Sequence, residues 1–424
     1  MTKRLSLGFV SVIVVAAGIA TLFSGMRAHA APPPIKIGVI VPLTGVSAPS
    51  GQAMKAAIEL AAKIVNEGNS KDLAPLPLTS SAGLPNLGGA TIEPIFADSQ
   101  GNPSVGQTQA VRLVTQEHVV ALFGSYQSGV TKTTSEVAER YGIPFVCGDS
   151  VAADLTERGY KTFFRVTPAI TEFAKVYMSF FDDLKKQGKN IKTIAVVHEN
   201  TDYGTAVGDA MEAVTKGTAY QIVARIPYTA SATDLSAEVN QLKAKKPDAV
   251  LFASYTSDSI LFAKTMNELG FTAPAIIGDD SGFVDGTFLK TSSSIMEGAM
   301  SRSSWAPPKP GTPAYKINQM YKAMGFDFDT FEAAARDIQG FWVLMDAINR
   351  AKSTNPDAVI AALHATNLSP QQLLLPYHGV KFDAKGQNFE GAAIMEQIQG
   401  GKYVVVWPAS YAQAKLEWPF VGKK

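Results

Sequence analysis

From residue 35 the chain reads IKIGVIVPLTGVSAPSG, with apolar Ile35, Ile37, Val39, Ile40 and Val41 broken only by Lys36 and Gly38. Near-continuous apolar runs of this length are the mark of a parallel strand covered by helices on both faces. Pro42 ends the run and Thr44-Gly45 opens a polar loop. Over residues 52–66, Met54, Ala57, Ile58, Ala61, Ala62 and Val65 then recur at helical spacing. The loop therefore lies at the carboxyl end of a strand, where open α/β sheets hold their ligands.

The alternation continues with strands at 91–97, 119–123 and 145–147 and helices at 105–117 and 130–141. Residues 73–87, rich in Pro, Ser, Gly and Leu and without a period, predict a long surface loop. Repeated βα units imply a parallel sheet with right-handed crossovers. The rhythm restarts with helices at 169–185, 204–215, 235–243 and 258–269 and strands at 193–198, 221–226, 249–252 and 275–277, which makes a second sheet. Residues 315–350 and 357–364 predict helices, and 380–382, 392–399 and 403–407 predict late strands. Too few strands remain for a third domain, so this block is expected to return and complete both lobes.

Composition narrows the function. Lys3 and Arg4, an apolar stretch over 7–23 and a closing Ala28-His29-Ala30 predict a secretory signal peptide over residues 1–30, cleaved near Ala30, and hence a periplasmic protein. No cysteine follows that stretch, which argues against a lipid anchor. About 394 residues remain, enough for two lobes. The formal charge is +1 with basic residues scattered, so no footprint for nucleic acid or an anionic membrane is present, and a small neutral or zwitterionic partner is expected. Cys147 is the only cysteine, which excludes an intrachain disulfide in a compartment that permits them. It ends a short apolar strand and reads as a buried thiol. The chain has no H-E-x-x-H, paired C-x-x-C, P-loop or G-x-G-x-x-G, and His118 and His198 are isolated, so no metal or cofactor is expected.

Over nearly the whole exported chain, the fragments IKIGVIVPLTG, FADSQGNP, ALFGSYQSG, YGIPFVCGDS, LTERGYKTFFRVTP, VVHENTDYG, LFASYTSDS, IIGDDSG and VKFDAKGQNFEG resemble, in order and spacing, the periplasmic Leu/Ile/Val-binding proteins. The resemblance implies a type I periplasmic binding fold, two Rossmann-like lobes joined by three crossover strands, with ligand in the cleft between them. It implies a monomeric receptor that delivers a small solute to an ABC permease in the inner membrane. The crossings should fall near 165–168, 296–302 and 389–394. Lobe 1 would take residues 32–166 and 300–390, and lobe 2 residues 167–299 and 391–424.

Candidate ligand-binding residues follow from these two sources. Ser128 stands at a helix start after a strand, where a cap and free backbone N–H groups make an anion site. The resemblance assigns it, with neighbours Gln127 and Gly129, to the ligand carboxylate. Asp149, Ser150 and Val151 form the next loop. The family has a threonine where Val151 stands, and valine offers no hydroxyl, so Ser150 or backbone groups must substitute. Tyr203 and Tyr255 match aromatic walls over the ligand. Asp280, beside Asp279, matches an acidic residue that pairs with a ligand ammonium, while Asp279 reads as a surface or hinge residue. Ser50 replaces an aromatic cover, a change expected to enlarge the pocket.

Hydrophobic amino acids are the first ligand class, with aromatic or aliphatic carboxylic acids and small amides as alternatives. A sensor that signals to a receptor kinase remains a further reading. Gly148-Asp149-Ser150-Val151-Ala152 approximates a nucleophile elbow, so a serine hydrolase using Ser150 is the enzymatic alternative.

Overall fold

The computed structural model describes residues 1–2, 31–68, 70–420 and 422. The expected signal segment therefore lies, beyond its first two residues, outside the described residues. The first lobe begins with β1 (Ile35–Val41), α1 (Ala48–Glu67), β2 (Ile92–Asp98), α2 (Pro103–Thr115), β3 (Ala121–Gly124), α3 (Ser128–Tyr141), β4 (Phe145–Cys147) and β5 (Phe163–Arg165). The second carries α4 (Ile170–Lys186), β6 (Thr193–Glu199), α5 (Asp202–Thr215), β7 (Gln221–Tyr228), α6 (Ser236–Lys245), β8 (Ala249–Ala253), α7 (Thr256–Glu268), β9 (Ala275–Gly278), α8 (Gly286–Ser292) and β10 (Met300–Ser303). The chain then runs through α9 (Pro313–Ala323), α10 (Glu332–Ala351), α11 (Pro356–His364), β11 (Ile394–Gln399) and β12 (Lys402–Trp407).

Sheet order explains why the site forms between the lobes. The first sheet runs β2-β1-β3-β4-β5, all parallel, and the second runs β12-β11-β10-β9-β8-β6-β7 with β6 to β10 parallel. Each parallel set thus reverses direction of winding beside its first strand, between β1 and β3 and between β6 and β8. Crevices at such switch points open at the carboxyl ends of the strands. The strands read as apolar runs because both faces are covered: Ile37, Val39 and Val41 pack toward α1 and α10, and Ile40 packs toward α2 and α3. Likewise Val196 and Leu251 face α4 and α5, and Val197 and Phe252 face the α6–α7 side.

The three passages between lobes follow β5, follow β10 from Ser304 onward, and precede β11. The middle passage comes after residues 296–302 because β10 pairs with β9 and, antiparallel, with β11 inside the second sheet. Residues 300–303 thus sit in the second sheet, whereas the sequence expectation gave them to lobe 1. At the hinge the buried Arg165 side chain donates to Gln387 Oε1 at 2.6 Å and to the Ala152 carbonyl at 2.5 Å, and Asn388 Nδ2 donates to the Val166 carbonyl at 2.9 Å. Residues 380–382 make only isolated bridges there, not a strand.

Two further expectations change. Helix α2 starts at Pro103 because the Asn102 side chain caps Ser104 and Val105 and proline is well suited to the first helical position. Residues 73–87 are no free surface loop: Leu73, Leu76 and Leu84 are buried, Trp342 donates to the Pro77 carbonyl at 2.7 Å, and Asn86 bonds Asn349. Leucines spaced irregularly gave no period, yet all three join the core of the first lobe that α1 and α10 share. Cys147 is buried, and burial pushes its thiol up to about 11. At the carboxyl end Phe420 packs into the second lobe, and its N–H donates to the Pro274 carbonyl at 2.9 Å.

Gly51 sets the approach of α1 to the end of β1, since a Cβ there would lie 1.9 Å from the Pro42 carbonyl oxygen. Gly51→Ala is expected to lower unfolding free energy by about 1–3 kcal/mol, the usual cost of overpacking. The measurement is the urea midpoint, and an unchanged midpoint contradicts the tight approach.

Candidate functional site

The strand ends of both lobes converge on a pocket with about 270 Å³ of empty space, lined by Tyr126, Ser128, Asp149, Ser150, Val151, Tyr203, Tyr255, Asp280, Ser281 and Arg336. That figure includes space open to solvent, and the enclosed room is only about 20 Å³, so the side chains of the two lobes nearly fill the cleft between them. Of the sequence candidates, Ser128, Asp149, Ser150, Val151, Tyr203, Tyr255 and Asp280 line it. Gln127, Gly129 and Ser50 do not.

On the first lobe, Ser128 is the first residue of α3 and Gln127 takes the cap position. No side chain caps the helix, so its first-turn N–H groups face the cleft without a side-chain acceptor. The Ser128 hydroxyl instead accepts from Ala152 N–H at 3.3 Å, joining the loops after β3 and β4. Gln127 turns away to donate to Ser47 Oγ at 3.1 Å. Gly129 faces the second lobe, where a Cβ would come within 3.0 Å of Asp202 Oδ2. Lys132, one turn on, spans Asp154 at 2.8 Å and Asp202 at 3.5 Å at the exposed rim. Ser50 corrects the expectation of a wider pocket. It is buried in α1, and its hydroxyl lies 3.5 Å from Asp285 Oδ2 of the second lobe.

Ser150 shares a 2.7 Å hydrogen bond with Thr131 and donates to the Ser125 carbonyl at 2.8 Å. His198 accepts from Arg225 Nε at its Nε2 and therefore holds its proton on Nδ1, which donates to the Glu199 carbonyl at 2.9 Å. Burial lowers its pKa, and the Arg225 charge adds to that. The Ser150 hydroxyl of the hydrolase alternative is thus engaged with Thr131 and the Ser125 carbonyl, and His198 with Arg225 and Glu199, so these two side chains do not pair with each other. Val151 is buried with its side chain against the second lobe's core.

The floor is electrostatic. Asp279 was expected at the surface or the hinge side; it is fully buried in the floor, bound by Tyr177 Oη at 2.5 Å, by the Tyr203 hydroxyl and by Arg302 Nε at 3.1 Å. Arg302 also reaches Asp280 Oδ2 through Nη2 at 3.2 Å, and its guanidinium lies 3.6 Å from the Phe173 ring centroid. One arginine therefore reconciles the two adjacent carboxylates. Asp280 also meets Arg336 Nη1 at 2.5 Å, and Arg336 Nη2 contacts Asp149 Oδ1. Burial works to raise the Asp280 pKa, but the Arg336 and Arg302 charges outweigh it and hold the carboxyl below its usual range. Asp149, with less compensation, is pushed up to about 7 by burial. Burial also raises Glu332, Asp337 and Glu396 well above the carboxylate range. Asp280 Oδ1 is buried without a hydrogen-bond partner. Asp280 has φ 58° and ψ −141°, a region that favours glycine, so the fold holds this carboxylate in place against backbone strain.

Above the floor, Tyr255 lies between Tyr126 and Tyr203, with ring centroids 5.7 and 5.5 Å apart. The sequence reading missed Tyr126, Ser281, Arg302 and Arg336. A signal for Arg336 was present: Arg336-Asp337 falls between the apolar Ala333, Ala334, Ala335 and Ile338, and charges inside a helix buried all round require partners. Among the described residues no cluster of His, Cys, Asp and Glu is arranged to hold a metal ion, and no helix is long and apolar enough to cross a membrane.

A family model described as Periplasmic binding protein matches residues 34–402. The chain is 29% identical over 413 residues to Leu/Ile/Val-binding protein homolog 7 of Brucella abortus (strain 2308), covering 95% of this chain and 98% of that one. It is 27% identical to homolog 8 of Brucella suis biovar 1 (strain 1330), at 96% and 98% coverage. Among solved structures it is similar to the branched-chain amino acid transporter substrate-binding protein LivJ of Streptococcus pneumoniae in complex with isoleucine. The TM-score is 0.73 and the identity 21%, over 91% of this chain and all of that one. An R. palustris ABC-transporter solute-binding protein in complex with benzoate also scores 0.73, at 17% identity over 92% and 98%.

The raised carboxyls fix the sign of a pH effect. A carboxyl with a folded pKa above its unfolded value takes up a proton on folding, so its contribution is full below about pH 4 and is lost as pH rises through the folded value. For Asp149 that loss runs up to about pH 7. The melting temperature of ligand-free protein is expected to fall between pH 5 and 8, with a shallower fall in Asp149→Asn. A rise across that range contradicts the assignment.

Proposed function

We propose that this chain, which belongs to the periplasmic binding protein family and has the type I fold of LivJ-like receptors, is the periplasmic solute receptor of an ABC importer and that it takes an α-amino acid. The charge ledger of the closed cleft carries the reading. Burial favours the neutral forms of Glu332, Asp337 and Glu396, and Asp149, Asp279 and Asp280 meet Arg302 and Arg336 at the floor. Asp149, pushed up to about 7 by burial, gives the floor one excess negative charge only when it ionises, and Asp280 Oδ1 has no hydrogen-bond partner. A ligand ammonium balances that charge and gives Asp280 Oδ1 a partner, and the uncapped start of α3 beside Ser128 suits the accompanying carboxylate. A carboxylic acid without an amine would leave Asp280 Oδ1 unpaired and set a further negative charge beside buried carboxylates.

Ligand held between Ser128 on one lobe and Asp280 on the other favours the closed form, because only that form makes both contacts. A permease that recognises the closed form then receives loaded receptor. Binding should also ionise Asp149, since a nearby cation favours its charged form.

Three measurements check this. In a thermal-shift panel of the twenty amino acids, benzoate and small amides, an amino acid is expected to give the largest stabilisation. The reading fails if every amino acid leaves the melting temperature unchanged at millimolar concentration. Asp280→Asn should weaken the best ligand tenfold or more, about 1.4 kcal/mol, while unchanged affinity removes the ammonium role. Calorimetry at pH 6 in buffers of different ionisation enthalpy should show proton release on binding.

A further inference from the structure

Arg336 is not explained by an aliphatic ligand. It enters the pocket from α10 with Glu332 one turn before it, and its Nη1 lies 2.5 Å from Asp280 Oδ2 and 3.2 Å from Glu332 Oε1. Those are ion-pair contacts without hydrogen-bond geometry. Nε finds no acceptor of any kind, while Nη1 and Asp149 Oδ1 are held only in ion pairs, with Asp280 and with Nη2. The pocket wall thus sets guanidinium N–H donors beside a carboxylate acceptor, all of them buried.

We infer that Arg336 and Asp149 form the subsite for the ligand's side chain, and that this side chain ends in a neutral group with both N–H donors and a carbonyl acceptor, a primary carboxamide or a ureido group. The inference rests on the amino-acid reading of the cleft. A branched alkyl end would cover these donors and this acceptor and leave them desolvated, which is costly in a closed site. An anionic end would meet Asp149 and Asp280 after the ligand's own ammonium had already balanced the floor, and a cationic end would leave a buried positive surplus beside Arg302 and Arg336. A carboxamide places its carbonyl against the guanidinium and its NH₂ against the carboxylate, with no change in charge. Sites built to hydrogen-bond a polar group discriminate strongly against analogues that lack it.

Protein purified from the periplasmic fraction is titrated at pH 7.5 with L-glutamine, L-citrulline, L-leucine, L-isoleucine, L-valine, L-glutamate and L-lysine. Glutamine or citrulline is expected to bind at least tenfold tighter than any of the other five. Arg336→Met should weaken that ligand tenfold or more and narrow or reverse its advantage over leucine. A tighter fit for leucine, isoleucine or valine overturns this subsite and leaves the amino-acid receptor standing. A tighter fit for glutamate or lysine overturns the neutral end group, and no binding by any of the seven sinks the subsite, while the wider panel decides the parent reading. Should Arg336→Met fail to fold, Arg336→Lys, which keeps the charge and loses the planar fork, together with the wild-type ranking decides the outcome.

Discussion

Two guanidinium groups are buried at the bottom of a cleft, and neither lobe alone supplies all of their partners. The second lobe provides Asp279, Asp280 and Arg302, and the first provides Asp149, Arg336 and Glu332. A buried charge without a partner costs several kcal/mol, so the contact of Arg336 with Asp280 across the interface ties the electrostatics of one lobe to the position of the other. Asp280 adopts its left-handed backbone at this junction, where Arg302 and Arg336 hold its carboxylate from two sides.

The rest of the architecture brings those groups together. Both sheets wind in the same order about their first strands, so both present a crevice at their carboxyl ends, and the hinge around Arg165, Gln387 and Asn388 keeps the crevices facing. Helix α10 is buried almost all round, between α1, the segment at 73–87 and the first sheet, and so a single turn of it can deliver Glu332, Arg336 and Asp337 into the interior. The tyrosines at 126, 203 and 255 cover the floor with rings while their hydroxyls remain near polar groups, Tyr203 on Asp279 and Tyr126 on Ser281. Walls of this kind exclude water from the ionic floor, which strengthens every interaction below them.

Much of this was legible in the chain, for identifiable reasons. The β1 run and the βα rhythm are periodic signals produced by double-sided burial, and they placed Ser128, Asp149, Tyr203 and Asp280 at strand ends, where a parallel sheet must put its loops. The reading failed where burial comes without a period. Leu73, Leu76 and Leu84 sit in a segment of short turns, and Asp279 was assigned to the surface or hinge side because adjacent carboxylates repel one another and Arg302, which reconciles them, is 22 positions away from Asp280. Ser50 was placed by resemblance at a pocket it does not line, because helix α1 begins earlier than its apolar spacing indicated and turns that hydroxyl toward Asp285.

By itself the sequence determined most of the elements, the parallel pairing of the βα repeats and the loops that face the cleft, since apolar spacing and turn residues act over a few positions along the chain; the short β5, α8 and β10 carried too little pattern to show. Only the tertiary structure decided which charges share the floor. Residues 149, 280, 302 and 336 are separated by up to 187 positions, and ion pairing depends on distance in space, which no local pattern encodes. Arg336 shows the difference most plainly: the chain announces a charge among apolar neighbours, and the fold alone makes it a wall of the site.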